Sequence, residues 1–350
     1  MGYPGTCVRR ILLNQNESPY PPPSHVLEAA RQELSRANRY PDPALKEEVT
    51  QLAAEYIGVD PEQTILIPGA DTVVDITARP LRIQEYIIPD PSFYDIIIGT
   101  FEWNNVSLQR ILLNNYVSRL SKHTSNGWST VGLVDNPNNP LGCILFKEKP
   151  NTSTPIIVDE AYYEYSNITM AHHVRREEDV IILRTFSKAF SLASLRIGAL
   201  AAPTHIAEKL RRDPLIFRIT SPSLKALKAA LTDPSYVRRN VAETVKEKER
   251  IASTLARLGL KVYNSYTNFL TIDTGIPGIT GILAGRGIIV KSLENWVKQG
   301  MIRVTIGSRE ENTVFLEELE KVLSQASVKD KFEAGDDRLR PEPDEEPCEA

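Results

Sequence analysis

The sequence predicts an α/β protein: a large domain on an open, mainly parallel sheet covered by helices, followed by a smaller α+β domain. Two observations predict it. Short, almost wholly apolar runs (Thr64–Ile67, Tyr86–Ile88, Val131–Val134, Pro155–Val158 and Val180–Leu183) alternate with helical segments. Strands buried on both faces by covering helices have this texture. Beyond a long amphipathic stretch over 235–258 the pattern changes. Short runs at 261–263, 269–272, 287–290 and 302–306, then a helical segment over 310–325, form a second unit.

The elements follow in order. Residues 1–24 are rich in Pro, Gly and Asn, and Pro21-Pro22-Pro23 marks an extended arm rather than a packed element. Ser24 is placed to cap a helix over 25–37, where Val26, Leu27, Ala30 and Leu34 share a face. Asn38-Arg39-Tyr40-Pro41-Asp42-Pro43 breaks that helix. A second helix over 44–57 carries Leu45, Val49, Leu52, Ala53 and Tyr56, and Gly58 ends it. A further helix is predicted over 72–79. The domains then read as 1–43 (arm and first helix, joining the small domain and a dimer interface), 44–215 (large), 216–328 (small) and an acidic tail, 329–350.

Composition bounds the function. The chain has 350 residues, 41% hydrophobic and 25% charged, which suits a globular protein with a large core. A net charge of −4 provides no basic field, so neither nucleic acid nor an anionic membrane surface is expected as a partner. The tail from 329 holds nine Asp/Glu against four Lys/Arg and few apolar residues, so it is predicted to be disordered. No apolar run is long enough to span a membrane, and no secretory leader is recognisable. Cys7, Cys143 and Cys348 are odd in number and widely spaced. A disulfide framework is therefore not expected, and a cytoplasmic, reducing setting is.

In open α/β sheets, ligands sit at the carboxyl ends of the strands. Gly69-Ala70-Asp71, Asn139, Asp159 with Tyr162, and Thr185-Phe186-Ser187-Lys188 all fall at such ends. Each has a bland reading alone. A lysine after a strand is usually solvated, an Asp at a strand end is often an N-cap, and Asn-Pro-Asn-Asn-Pro is first of all a turn. Phe93 also reads as core, core packing is the better reading of Tyr163, and Arg196 also reads as an ion-pair partner. Their joint order and spacing favour a site. His172-His173 is a tempting metal pair, but no third ligand stands at sensible spacing in the sequence, so no metal is expected. No Walker or dinucleotide-binding glycine fingerprint is present.

These segments resemble the fold-type I, class I/II aminotransferases that use pyridoxal 5′-phosphate (PLP), and most of all the histidinol-phosphate aminotransferases. The resemblance is carried by LLNQNESPYPPP (12–23), NRYPDP (38–43), ILIPGAD (65–71), DNPNNPLG (135–142), IIVDEAYYEY (156–165), LRTFSKAFSLASLRIGA (183–199) and IRVTIGSREEN (302–312). It implies a seven-stranded sheet in the large domain and a homodimer.

The resemblance also implies roles. Lys188 would hold PLP as a Schiff base and, once freed by the substrate amine, move the α-proton. A Schiff-base lysine must lose its charge for part of the cycle, which burial beside cations favours. Asp159 would pair with the pyridine nitrogen, and Tyr162 and Asn139 would hydrogen-bond the phenolic oxygen. Phe93 would stack on the ring. Ala70 and Asp71 (backbone N–H), Thr185, Ser187 and Arg196 would hold the phosphate, with Tyr40 reaching it from a partner subunit. Arg303 would take the carboxylate of an amino donor or 2-oxo acid, and Lys291, Asn16 and Tyr20 would border the substrate.

The sequence departs from the family pattern in places. Lys291 stands where an arginine usually holds the substrate phosphate, Leu141 where a Thr is usual, and Thr72 where an acidic residue is expected. The linker near 79–86 is short. Transamination of histidinol phosphate with 2-oxoglutarate is the leading expectation. An aminotransferase for aromatic or other amino acids, and a PLP lyase such as a threonine-phosphate decarboxylase, are the rivals. A non-catalytic PLP-binding regulator fits worse, since no DNA-binding module accompanies the fold.

Overall fold

The computed structural model describes residues 10–123 and 127–333. Its strands are β1 (Ile11–Leu13), β2 (Thr64–Ile67), β3 (Glu85–Asp90), β4 (Ser107–Leu112), β5 (Thr130–Asp135), β6 (Ile156–Asp159), β7 (Val180–Thr185), β8 (Gly198–Ala201), β9 (Lys261–Val262), β10 (Phe269–Asp273), β11 (Ile288–Ser292) and β12 (Met301–Thr305). They form two sheets. The large one has seven strands in the order β2-β8-β7-β6-β5-β3-β4; the small one has five, β1-β11-β12-β10-β9.

In the large sheet β4, β3, β5, β6 and β7 are mutually parallel, and β8 runs antiparallel to both β7 and β2. Side chains alternate across the central strands into two separate cores. Val134, Val158 and Ile182 pack on one side, and Leu133, Ile157, Ile181 and Leu183 on the other. Both faces are covered, which is why these strands lack polar alternation. This is the predicted α/β class, with the seven strands the resemblance implied.

The structure corrects several local expectations. Ser24 is the first residue of its helix, Ser24–Leu34; Pro23 occupies the cap position. The helix after β2 is Val73–Leu81, entered through a 3₁₀ turn at Ala70–Thr72. The N-terminal arm is not wholly unpaired, because β1 adds to the small sheet parallel to β11. The last helix spans Arg309–Glu333 and so runs past 329, the expected start of a disordered tail. The rest of that tail lies outside the described residues. Cys143 is disulfide-bonded, against the expectation of free thiols; Cys7 and Cys348 lie outside the described residues.

Candidate active site

The carboxyl edge of the parallel strands opens into a cavity of about 530 Å³, within the range of small-molecule sites. Three of the five parallel strands deliver their terminal residues there. Asp135 and Asp159 are register partners at the ends of β5 and β6, and Thr185 ends β7. Ser187, Lys188 and Arg196 come from the connection between β7 and β8. The small sheet contributes Lys291 and Arg303, and the arm contributes Asn14 to Glu17.

Lys188 Nζ donates to the carbonyl of Gln15 at 2.9 Å. Burial, and then the field of Arg303, lower its pKa to about 8. The carboxylates of Glu17 and Asp159 oppose this shift and Arg196 reinforces it, so these charges share one site. An amine held there is still mostly protonated near physiological pH, but its neutral fraction is far larger than that of an ordinary lysine, as a nucleophilic or proton-carrying lysine requires.

Asp159 is buried and accepts from the hydroxyl of Tyr94 at 3.1 Å and the backbone N–H of Ala161 at 3.0 Å. Desolvation raises its pKa to about 6, against these hydrogen bonds. Behind it Asp135 accepts from Ser92 Oγ at 2.8 Å, Phe93 N at 3.1 Å and Asn139 N at 2.7 Å. Asp135 thus fixes the loops carrying Phe93 and Asn139 to each other. Burial raises its pKa to about 7.

The Tyr162 hydroxyl accepts from Asn16 Nδ2 at 2.8 Å and Asn139 Nδ2 at 3.4 Å, so three sequence-predicted residues converge on one oxygen. Burial, opposed by Arg303, raises its pKa to about 12, which keeps it a neutral donor. Arg303 donates to Asn139 Oδ1 and, at 2.8 Å, to the Asn14 carbonyl. Its Nε is buried without a partner. A guanidinium carries five N–H groups, so this one keeps donors to spare for a ligand.

A cluster whose chemistry would suit an anion lies at the β2 and β8 end. Arg196 Nη2 meets Asp71 Oδ1 at 2.5 Å, beside Ala70 and the hydroxyls of Thr185 and Ser187, which bond each other at 2.9 Å. Gly69 closes its base at φ +109°. A Cβ there would stand 2.4 Å from both Arg196 Nη2 and Asp71 Oδ1, so a side chain would displace that pair and strain the backbone.

Of the residues singled out in the sequence, Ala70, Asp71, Phe93, Asn139, Asp159, Tyr162, Thr185, Ser187, Lys188, Arg196, Arg303, Lys291 and Asn16 all line this cavity. Two do not. Tyr40 is 97% exposed, which leaves it available only to another molecule. Tyr20 lies in the field of Glu243, Glu247 and Glu310 instead, where burial and those charges raise its pKa. Tyr94 and Asp135 were not singled out. Tyr94 follows Phe93 and Asp135 opens the motif DNPNNPLG, which is the sequence signal that could have given them a role. Tyr163 carries the buried Arg184 guanidinium 3.3 Å from its ring centroid and so packs, as its bland reading held.

A mainly parallel seven-stranded α/β sheet with a half-buried lysine, a buried carboxylate and an arginine beside two hydroxyls at its carboxyl edge suits a phosphorylated ring cofactor. Residues 9–319 match the family model "Aminotransferase class I and II", and the chain belongs to that family. It is 32% identical over 337 residues to a histidinol-phosphate aminotransferase of Sulfurisphaera tokodaii, covering 91% of this chain and 92% of that one. The histidinol-phosphate aminotransferase of Sinorhizobium meliloti, solved with pyridoxal-5′-phosphate, superposes with a TM-score of 0.77 at 21% identity, over 90% of this chain and 91% of that one. The L-threonine-O-3-phosphate decarboxylase of Porphyromonas gingivalis superposes about as well, with a TM-score of 0.76 at 16% identity, over 90% and 99%. The fold therefore does not separate transaminase from lyase.

Proposed function

We propose that this protein is a PLP-dependent transaminase exchanging the amino group of histidinol phosphate with 2-oxoglutarate, giving imidazole-acetol phosphate and glutamate. The carrying observation is the pair Lys291 and Arg303. They are direct partners across β11 and β12, and both face the cavity from the small sheet. Arg196 provides a separate cation from the large sheet. One cavity with two cationic poles suits a phosphorylated cofactor at one and an anionic substrate at the other. A monoanionic aromatic amino acid would leave Lys291 without a counter-charge.

Bound PLP supplies an electron sink. In this reading the chain's own groups do the rest. Lys188 holds the cofactor and carries the proton, and Asp159 keeps a cation beside it. Asn139 and Tyr162 orient the ring oxygen, Phe93 packs on its face, and Ala70, Asp71, Thr185, Ser187 and Arg196 hold its phosphate. Arg303 receives the carboxylate of the oxo acid, and Lys291 the substrate phosphate, with Asn16 as a neighbour. The orphaned Nε of Arg303 and the lowered pKa of Lys188 suit these tasks.

The exposed Tyr40 supports a homodimer in which it completes the partner's phosphate cradle. The proposal places the enzyme in the cytoplasm with its small-molecule substrates. Among the described residues no helix is long and apolar enough to cross a membrane.

A substrate screen tests the reading. Histidinol phosphate should convert with 2-oxoglutarate at least tenfold more efficiently than phenylalanine or tyrosine. CO₂ release from threonine phosphate, or equal turnover of unphosphorylated donors, would reject it.

A further inference from the structure

We infer that Glu148, His172 and His173 form a binding site for a divalent transition-metal ion, zinc being the best fit, that ties the loop after Asn136–Gly142 to the short helix before β7. The sequence offers His172-His173 without a third ligand at a readable spacing. The fold supplies one. Glu148 Oε2 lies 3.3 Å from His172 Nε2 and 3.7 Å from His173 Nε2, and the three atoms all fall within 4.8 Å of one another. A tetrahedral zinc ion with bonds of about 2.1 Å separates its ligand atoms by roughly 3.4 Å. The observed spacing needs only small side-chain adjustments to close on an ion, with the fourth position left to water.

Two further features point the same way. His173 Nδ1 is 2.9 Å from Glu178 Oε2, while its Nε2 is buried without a hydrogen-bond partner. A carboxylate on Nδ1 fixes the tautomer that bares the Nε2 lone pair, the usual support of a metal-bound histidine. Neighbouring residues on a helix do not normally face the same way. Yet the two imidazoles, both on the helix Ala171–Arg175, have ring centroids 4.0 Å apart, tilted by 40°, and both reach Glu148.

The local charges also suit a dication. Glu148 and Glu178 bring two negative charges, with Lys149 Nζ 3.9 Å from Glu178 as the nearest counter-ion in the cluster. Two imidazoles and one carboxylate select a borderline ion over magnesium or calcium, which prefer all-oxygen sets.

The site lies before β7, whereas Lys188 lies beyond its end. Six residues of strand put roughly 20 Å between them, so the ion is structural and does not touch the chemistry.

The test uses full-length, cofactor-loaded protein stripped with a chelator. Zinc uptake is followed by calorimetry, and cobalt uptake by its ligand-field absorbance at wavelengths longer than the cofactor's. The expected result is one ion per chain, with a tetrahedral cobalt spectrum and a higher melting temperature in zinc. His172→Gln and Glu148→Gln should each weaken binding about tenfold or more, and Glu178→Gln about 10–100-fold. His172 and Glu148 are the more exposed ligands, so these variants keep the fold where His173→Gln would not. No uptake by the parent protein, or uptake unchanged in both His172→Gln and Glu148→Gln, would overturn the site.

Discussion

Asn139 Oδ1 accepts from the Arg303 guanidinium, so a loop at the carboxyl edge of the large sheet is fastened to a strand of the small one. The hydroxyl of Thr271, next to Arg303 in register, donates to the Pro140 carbonyl of the same loop. Arg303 also holds the arm through Asn14. The residue best placed to receive a substrate carboxylate is therefore the one that joins large sheet, small sheet and arm. Any ligand taken up by Arg303 would therefore compete with, or add to, the bonds that set those three pieces relative to one another.

Arg303→Lys keeps the charge and loses the planar fork. One ammonium cannot serve Asn139, the Asn14 carbonyl and a bidentate carboxylate together. Steady-state kinetics should show KM for 2-oxoglutarate raised about 10–100-fold, the value of one or two charge-assisted hydrogen bonds. An unchanged KM would remove Arg303 from substrate binding.

Gly69→Ala tests the proposed anion cradle. The added methyl meets Arg196 and Asp71, and φ +109° costs a non-glycine residue about 1–3 kcal/mol. Urea unfolding should register that loss, and pyridoxal phosphate should dissociate about tenfold more readily. Normal cofactor retention would show that Arg196 is not needed where it stands.

Lys248 is buried and donates to the carbonyls of Ser265 and Thr267 at 2.6 and 2.8 Å, pinning the helix Ser235–Arg257 to the turn before β10. Lys248→Met fills the same volume but orphans two carbonyls. It should cost about 1–3 kcal/mol in urea unfolding while leaving cofactor affinity unchanged.

What the sequence reveals, and what it hides, follows from the physics. The five apolar strands were readable because burial on both faces removes polar residues. β4 and β8 were not read as strands. β4, SLQRIL, is a polar, partly exposed edge strand, and β8, GALA, is Gly and Ala at three of its four positions, residues with weak strand preference. Strand-end residues such as Asp159 and Lys188 were legible because topology sends strand ends to one edge. Tyr94 was not, because its importance lies in a hydroxyl that crosses from the β3 loop to the end of β6. Glu148 was hidden from His172 for a similar reason: 23 residues, β6 among them, lie between the two, with no period to announce the meeting.

Asp159 yields the prediction with a sign that reverses. Burial lifts its pKa from 3.8 to about 6. Stability from this group is therefore complete below about pH 4 and is lost as pH rises through 6. In cofactor-free protein at pH 7.5, Asp159→Asn relieves the buried charge and should raise stability by about 1–3 kcal/mol, an advantage that vanishes below pH 4. A cation held beside the carboxylate inverts the balance, since opposite charges favour the ionised form by about 1–3 pKa units. In cofactor-loaded enzyme the same variant should therefore be the less stable one, with activity down about 10–1000-fold. Tyr94→Phe removes only the hydrogen bond to Asp159. It should shift the acid limb of the pH–rate profile upward, with a smaller loss of rate than Asp159→Asn. Thermal melts of both proteins, with and without pyridoxal phosphate, give the comparison. If Asp159→Asn moves stability in the same direction in both states, the carboxylate does not face a cation.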